Sequence, residues 1–203
     1  MITQIKETQN NLTPDLVIGI LKEGNNRFIN NQGIERTLTK QVEITSQGQY
    51  PFASILGCID SRVPMELVFD LGIGDIFSTR VAGNIINEDV LGSMDYACKV
   101  AGSKLVVVLG HTKCGAVTSA CKGVELGNIT ALLSKIKPAV GEHIHSEGDI
   151  NETNIEKVVV SNVQHSINEL RSKSPILKEM EDNGEIKIIG ANYDVSTGKV
   201  IFL

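Results

Sequence analysis

Leu105-Val106-Val107-Val108-Leu109 is the segment that most restricts this fold. Five consecutive apolar residues, three of them β-branched, read as a strand whose two faces are both buried; a strand with one wet face would alternate. The predicted strand spans 104–110. Two more short apolar runs precede it, Phe52–Gly57 and Asp75–Arg80, and Val90–Val100 carries apolar residues at helical spacing between the second and third. Strands of this kind separated by helices predict an α/β fold, a mostly parallel central β-sheet flanked by helices.

The remaining elements follow from local signals. Thr13-Pro14-Asp15 is an N-cap followed by a first-turn proline, which predicts a helix over 13–30 with Leu16, Ile20, Leu21 and Phe28 as its apolar residues. Residues 31–50 are polar and read as a loop with a short helix near 39–46. Helices are predicted near 114–124, 127–138 and 152–172, and a surface loop over 141–151. Glu185–Gly190 and Lys199–Leu203 read as closing strands, joined by a turn at Asp194 to Gly198. With no repeat and no linker, the chain reads as a single domain, 1–48 an N-terminal helical arm and 49–203 the α/β core.

Chemistry gathers at two strand ends. Cys58-Ile59-Asp60-Ser61-Arg62 follows the first strand, and His111-Thr112-Lys113-Cys114-Gly115 follows the third. Carboxyl ends of parallel strands are where open α/β sheets place their sites, and neighbouring strands lie ~4.8 Å apart. Cys58, His111 and Cys114 therefore form a candidate Cys₂His set for one Zn2+, with a fourth position open to water. Zinc lowers the pKa of bound water from 15.7 toward ~7. Two thiolates weaken that effect, so a nearby group must help to hold the hydroxide. Asp60 is the candidate acceptor, and Arg62 the candidate to keep it charged and oriented. Asp60 as a fourth ligand that closes the site is the alternative.

Composition narrows the class. A net charge of −5, no basic run and no Trp argue against a nucleic-acid surface. The longest apolar stretch is far below the ~20 residues of a membrane span. Met1–Lys6 lacks a signal pattern and four cysteines make no disulfide framework, so a cytoplasmic protein is expected. Cys98 and Cys121 read as buried small hydrophobes, and His143 and His145 as loop residues.

The two strand-end segments resemble the signature motifs of the β-class carbonic anhydrases. Glu23–Phe28, Gly74–Asn84 and Gly92–Ala97 are similar to that family's N-terminal helix, second-strand and crossover-helix motifs. The resemblance runs from about residue 13 to the C-terminus and is densest over 49–120. It implies reversible hydration of CO2 to bicarbonate and a proton, with zinc-bound hydroxide attacking CO2 and the Asp60–Arg62 dyad orienting it. It further implies substrate-pocket roles for Gln49, Phe77, Tyr96 and the Gly115 backbone N–H, one zinc per chain, and a homodimer or homotetramer with its cleft at the subunit boundary. Some bacterial members carry an inhibitory bicarbonate pocket built around a tryptophan. This chain has no Trp, which favours an open site. Two other readings share the ligand set: a zinc hydrolase of CS2 or COS on the same scaffold, and a non-catalytic zinc module closed by Asp60. A redox role for Cys58 and Cys114 is weak, since no C-x-x-C is present.

Overall fold

The structure is a computed structural model that describes residues 3–203. In chain order, the N-terminal helices are α1 (Lys6–Asn10), α2 (Pro14–Ile29) and α3 (Leu38–Thr45). The first half of the sheet follows as β1 (Ala53–Gly57), the short helix α4 (Met65–Val68) and β2 (Ile76–Arg80). Next come α5 (Glu88–Asp95), which continues as a wider π turn over Tyr96–Val100, and β3 (Leu105–His111). Then α6 (Gly115–Cys121), α7 (Gly127–Leu133), α8 (Lys137–Gly141), α9 (Glu152–Lys173) and α10 (Pro175–Asp182) lead to β4 (Lys187–Tyr193) and β5 (Val200–Phe202).

The strands form one sheet in the order β2-β1-β3-β4-β5. The β1–β2, β1–β3 and β3–β4 pairs are parallel, and only β5 runs antiparallel. From β1 the chain moves outward to β2, then crosses back over β1 to β3. That reversal puts a crevice between the carboxyl ends of β1 and β3, the switch point where such sheets bind ligands.

Side chains of β3 point alternately to two cores. Leu105, Val107 and Leu109 pack with Val17, Leu21, Phe52, Ile55 and Phe69 on one face. Val106 and Val108 pack with Met94, Val163, Ile167, Leu170 and Leu177 on the other. All five are fully buried, which is why the run shows no alternation. Burying each such side chain contributes roughly 1.5–3 kcal/mol before entropy is counted.

α2 docks on this chain's own sheet. The Thr13 hydroxyl accepts from Leu16 N–H at 3.3 Å as its cap. Its inward stripe is Val17, Leu21, Gly24 and Asn25, at helical spacing. Gly24 lies so close to the Phe69 carbonyl that a Cβ there would sit 1.9 Å from the oxygen. Asn25 donates to the carbonyls of Val68 (3.0 Å) and Gly198 (2.9 Å) and accepts from Val200 N–H (2.8 Å). Leu16 and Phe28, which the sequence pattern groups with the apolar face, are instead 54% and 37% exposed.

Several predicted boundaries move. The helix expected over 127–138 is two helices, because Pro138 has no N–H to donate back to the Ser134 carbonyl and sits instead in the first turn of α8. The unpredicted α10 starts afresh at Pro175, with the Ser174 hydroxyl capping Leu177 N–H at 3.0 Å. α1 and α4 are likewise short and carry too few residues for a periodic signal. β4 runs on past Gly190 to Tyr193, since its last three residues pair with β3 on one side and β5 on the other. The 141–151 loop contains a single turn at Glu147–Asp149, tied by the Asp149 carboxylate to the N–H groups of His145 and Ser146. Among the described residues, no helix is long and apolar enough to cross a membrane.

Candidate metal centre

β1 and β3 are hydrogen-bonded neighbours, with Gly57 opposite Leu109. Cys58 therefore leaves the sheet one residue beyond β1, beside His111 at the end of β3. The chain then turns through Thr112 and Lys113, and Cys114 sits at the N-cap of α6. The donor atoms of Cys58, His111 and Cys114 all lie within 4.8 Å of one another, and all three residues are buried. The two sulfurs are 4.0 Å apart.

The imidazole is oriented for a ligand. His111 Nδ1 lies 2.9 Å from the Thr112 carbonyl, an acceptor, so the geometry assigns the proton to Nδ1. Nε2 is left with a free lone pair, is buried, and has no hydrogen-bond partner. A buried orphan nitrogen costs free energy unless something binds it. Beside it, the Cys114 thiol pulls the Cys58 thiol well below the ordinary range; His111 and the amides of Gly83 and Asp60 assist, against the cost of burial. The same contact, together with burial, pushes Cys114 up, opposed by the amides of Val117 and Ala116 at the start of α6. Two sulfurs competing for one proton next to an unpartnered imidazole nitrogen fit a zinc ion, which takes both as thiolates.

Asp60 stands at the rim of this cluster, its Oδ2 4.0 Å from His111 Nε2. Arg62 grips both carboxylate oxygens, Nε to Oδ1 at 2.9 Å and Nη2 to Oδ2 at 2.8 Å, and its own backbone N–H adds a third bond at 2.9 Å. The Arg62 side-chain hydrogen bonds draw the Asp60 carboxyl down to about 2, although partial burial opposes them. Asp60 is therefore a carboxylate committed to Arg62, in position to accept a hydrogen bond at the cluster.

The cradle around these groups uses residues to which the motif reading gave no role. Arg80, at the end of β2, donates to the carbonyls of Cys58 (3.0 Å) and Asp60 (2.5 Å) and fixes the loop between them. The Gly83 N–H points at Cys58 Sγ from 3.3 Å. Gly83 has φ of 68°, and a Cβ there would meet Ile136 Cδ1 at 2.7 Å, so glycine is required both by conformation and by space. Asn162 on α9 donates to the Gly83 carbonyl at 2.8 Å. Arg80 and Gly83 lie inside the Gly74–Asn84 segment, so the signal for them was present in the sequence. Asn162 sits mid-helix with nothing local to mark it.

Within one chain Gln49, Phe77 and Tyr96 do not join the cluster. Phe77 pairs with Ser54, four residues before Cys58, which puts it roughly 13 Å down the strand at about 3.3 Å per residue. Phe77 and Tyr96 do meet each other, edge to face with centroids 6.2 Å apart, and line a cleft with Glu88, Asp89 and Ser93. Tyr96 is 52% exposed, and Gln49 is an exposed loop residue. Gly115 is different: it is the first residue of α6, directly after Cys114. Cys98 and Cys121 are buried in apolar surroundings and stand outside the donor set, and burial raises the Cys98 thiol to about 12.

The sequence matches a protein-family model described as carbonic anhydrase over residues 53–200. The chain belongs to the carbonic anhydrase family. Carbonic anhydrase 2 of Mycobacterium tuberculosis is 32% identical over 198 residues, 94% of this chain and 93% of that protein. The carbonic anhydrase of Mycolicibacterium smegmatis is 33% identical over 187 residues, 89% of this chain and 88% of that one. The β-carbonic anhydrase CcaA superposes with a TM-score of 0.75 at 25% identity, covering 92% of this chain and 87% of that structure. The β class is the one the fold supports, and its enzymes use zinc. The protein is thus a β-carbonic anhydrase that carries out zinc-dependent hydration of CO2.

Proposed function

We propose that Cys58, His111 and Cys114 hold one zinc ion per chain, and that Asp60 and Arg62 are the catalytic pair at its open side. The observation that carries this reading is His111 Nε2, a buried, unpartnered acceptor within 4.8 Å of two sulfurs. Zinc bound there supplies a Lewis acid that lowers the pKa of a coordinated water toward neutrality. The chain's own residues do the rest. Asp60, ionised far below neutral pH, can accept a hydrogen bond from that water but cannot donate one. With zinc bound, Asp60 would therefore fix the orientation of a water held at the open position. Arg62 occupies both Asp60 oxygens and keeps the carboxylate off the metal, the arrangement of an open site. The buried flank of the cluster, formed by Ile85, Val117 and Ile136, excludes water from behind. The Gly115 N–H, the first of α6, would be available as a donor to an anionic oxygen of the substrate.

The pocket roles of Gln49, Phe77 and Tyr96 require a second copy of the chain. In one copy Phe77 lies well down β2, an edge strand, from the donors, with the half-exposed Tyr96 packed against it. A homodimer, or a homotetramer built from it, that joins these edges would bring one protomer's Phe77 and Tyr96 toward its partner's metal centre. Four free cysteines favour a reducing compartment, the cytoplasm.

The test is stopped-flow CO2 hydration together with zinc content and mass by light scattering. Wild-type protein should carry one zinc per chain, turn over rapidly and run as a dimer or larger. Cys58→Ser and His111→Ala should lose both zinc and turnover. Full zinc retention in both variants would refute the ligand set, and an active monomer would refute the shared cleft.

A further inference from the structure

α9 reaches the metal centre at two points. Through Asn162 it holds the Gly83 carbonyl, and Gly83 in turn donates to Cys58 Sγ. Through Glu156, six residues earlier, it reaches the other ligand loop: Glu156 Oε1 accepts the Lys113 N–H at 2.8 Å. Lys113 is the residue just before Cys114, and it has φ of 57°. A side chain in that left-handed region costs roughly 1–2 kcal/mol, so the conformation persists only where neighbours impose it.

The neighbours of Lys113 are specific. On the His111 side, Thr112 is already anchored to the β4–β5 hairpin, its N–H to the Tyr193 carbonyl at 2.9 Å and its hydroxyl to the Val195 N–H at 3.1 Å. On the far side Cys114 is the N-cap of α6. Rotation about Lys113 therefore swings Cys114 Sγ relative to a fixed His111. The Lys113 carbonyl also accepts from Arg62 Nη2 at 3.3 Å, the same nitrogen that bonds Asp60 Oδ2. The Lys113 residue is thus held at both ends, by a carboxylate from α9 and by the guanidinium of the dyad.

We propose that Glu156 is a positioning residue of the metal centre: its hydrogen bond to the Lys113 N–H holds that residue left-handed, setting Cys114 Sγ against His111 Nε2 and the Lys113 carbonyl under Arg62. It touches neither metal nor substrate. The carboxylate is committed to this task, since its second oxygen is buried and makes no other bond. The proposal rests on the zinc-ligand assignment made above.

The experiment is the rate of zinc release from the holoenzyme to a chromogenic chelator in excess, with kcat, KM and Tm measured on the same samples. Groups that orient a metal's ligands typically contribute 10–100-fold in affinity. Glu156→Ala should release zinc roughly 10–100-fold faster than wild type and lower kcat more than it raises KM. Glu156→Gln keeps an acceptor at Oε1 and should recover most of the lost retention. Should Glu156→Ala fail to fold, Glu156→Asp, one methylene too short to reach Lys113, is expected to show the same fast release. A folded Glu156→Ala or Glu156→Asp that lowers Tm but releases zinc at the wild-type rate overturns the proposal, leaving Glu156 a plain helix-to-loop contact. Release from Glu156→Gln as fast as from Glu156→Ala overturns it equally. Wild-type protein that holds no zinc, or Cys58→Ser protein that holds a full complement, would instead overturn the ligand assignment itself.

Discussion

Replacing Gly83 with alanine probes how tightly the fold and the metal centre are joined. The new methyl carries two separate costs. At φ of 68° an L side chain is strained by roughly 1–2 kcal/mol. Its Cβ would also sit 2.7 Å from Ile136 Cδ1 and 3.3 Å from the Ala116 Cβ, with Ile136 fully buried and unable to retreat into solvent. Overpacking of that kind costs typically about 1–3 kcal/mol. Together the two make about 2–5 kcal/mol, and for a chain of this size each kcal/mol moves Tm by about 2–4 °C. The expected fall in Tm is therefore about 4–20 °C by calorimetry. The same displacement carries the Gly83 N–H away from Cys58 Sγ, so zinc should also be released faster to a chelator. Gly19→Ala is the control: it lies in α2, a Cβ there meets nothing within 4 Å, and φ is ordinary. That change should raise stability by about 0.5–1 kcal/mol. A Gly83→Ala protein that melts within 2 °C of wild type, about the smallest shift that 1 kcal/mol gives, would refute the reasoning. So would equal shifts for the two glycines.

Other substitutions separate chemistry from scaffold. Asp60→Asn should keep zinc and its fold yet lose roughly 10²–10⁴-fold in kcat, the usual range for a proton-handling group; unchanged turnover in stopped flow would reduce Asp60 to a loop residue. Asp70→Ala should cost about 3–5 kcal/mol in urea unfolding, because it strands Arg27 and the nearly buried Arg36, both now paired to Asp70 at 2.5 Å; a loss under 1 kcal/mol would contradict this. Burial alone would raise the Asp70 carboxyl, but the Arg36 and Arg27 hydrogen bonds and the Ile34 N–H outweigh it and hold the group low. Its stabilisation is thus full above the unfolded carboxyl pKa near 4 and fades as pH falls through the lower folded value, so wild type and Asp70→Ala should converge in stability only in strong acid.

How much of this was legible beforehand depends on where each signal resides. β1 and β3 announce a doubly covered sheet because burial on both faces removes polar residues from the sequence itself, whereas Ile76–Arg80, read as a second buried strand, is an edge strand that stays partly exposed. The convergence of Cys58, His111 and Cys114 was legible for a similar reason: the side chains themselves carry the donor atoms, and strand ends bring them together with little freedom in between. Leu16 and Phe28 share helical spacing with Leu21 but stand exposed, since spacing alone cannot say which of two adjacent stripes meets the sheet; Val17, Leu21 and Asn25 do. α10 and the break before Pro138 were missed for want of periodicity in elements of eight residues or fewer.

The sequence by itself determined the sheet, the donor types and the pairing of Asp60 with Arg62, because each of these depends on residues at most a few positions apart or on the pattern that burial imposes on the central strands β1 and β3. Only the tertiary structure decided that β1 and β3 are neighbours, that His111 presents Nε2 and not Nδ1, that Phe77 lies down the strand from the donors, and that α9 delivers Glu156 to Lys113 across 43 residues of chain. Those contacts join segments whose separation along the chain leaves no local trace. They are fixed by strand order and by the docking of one helix on the sheet.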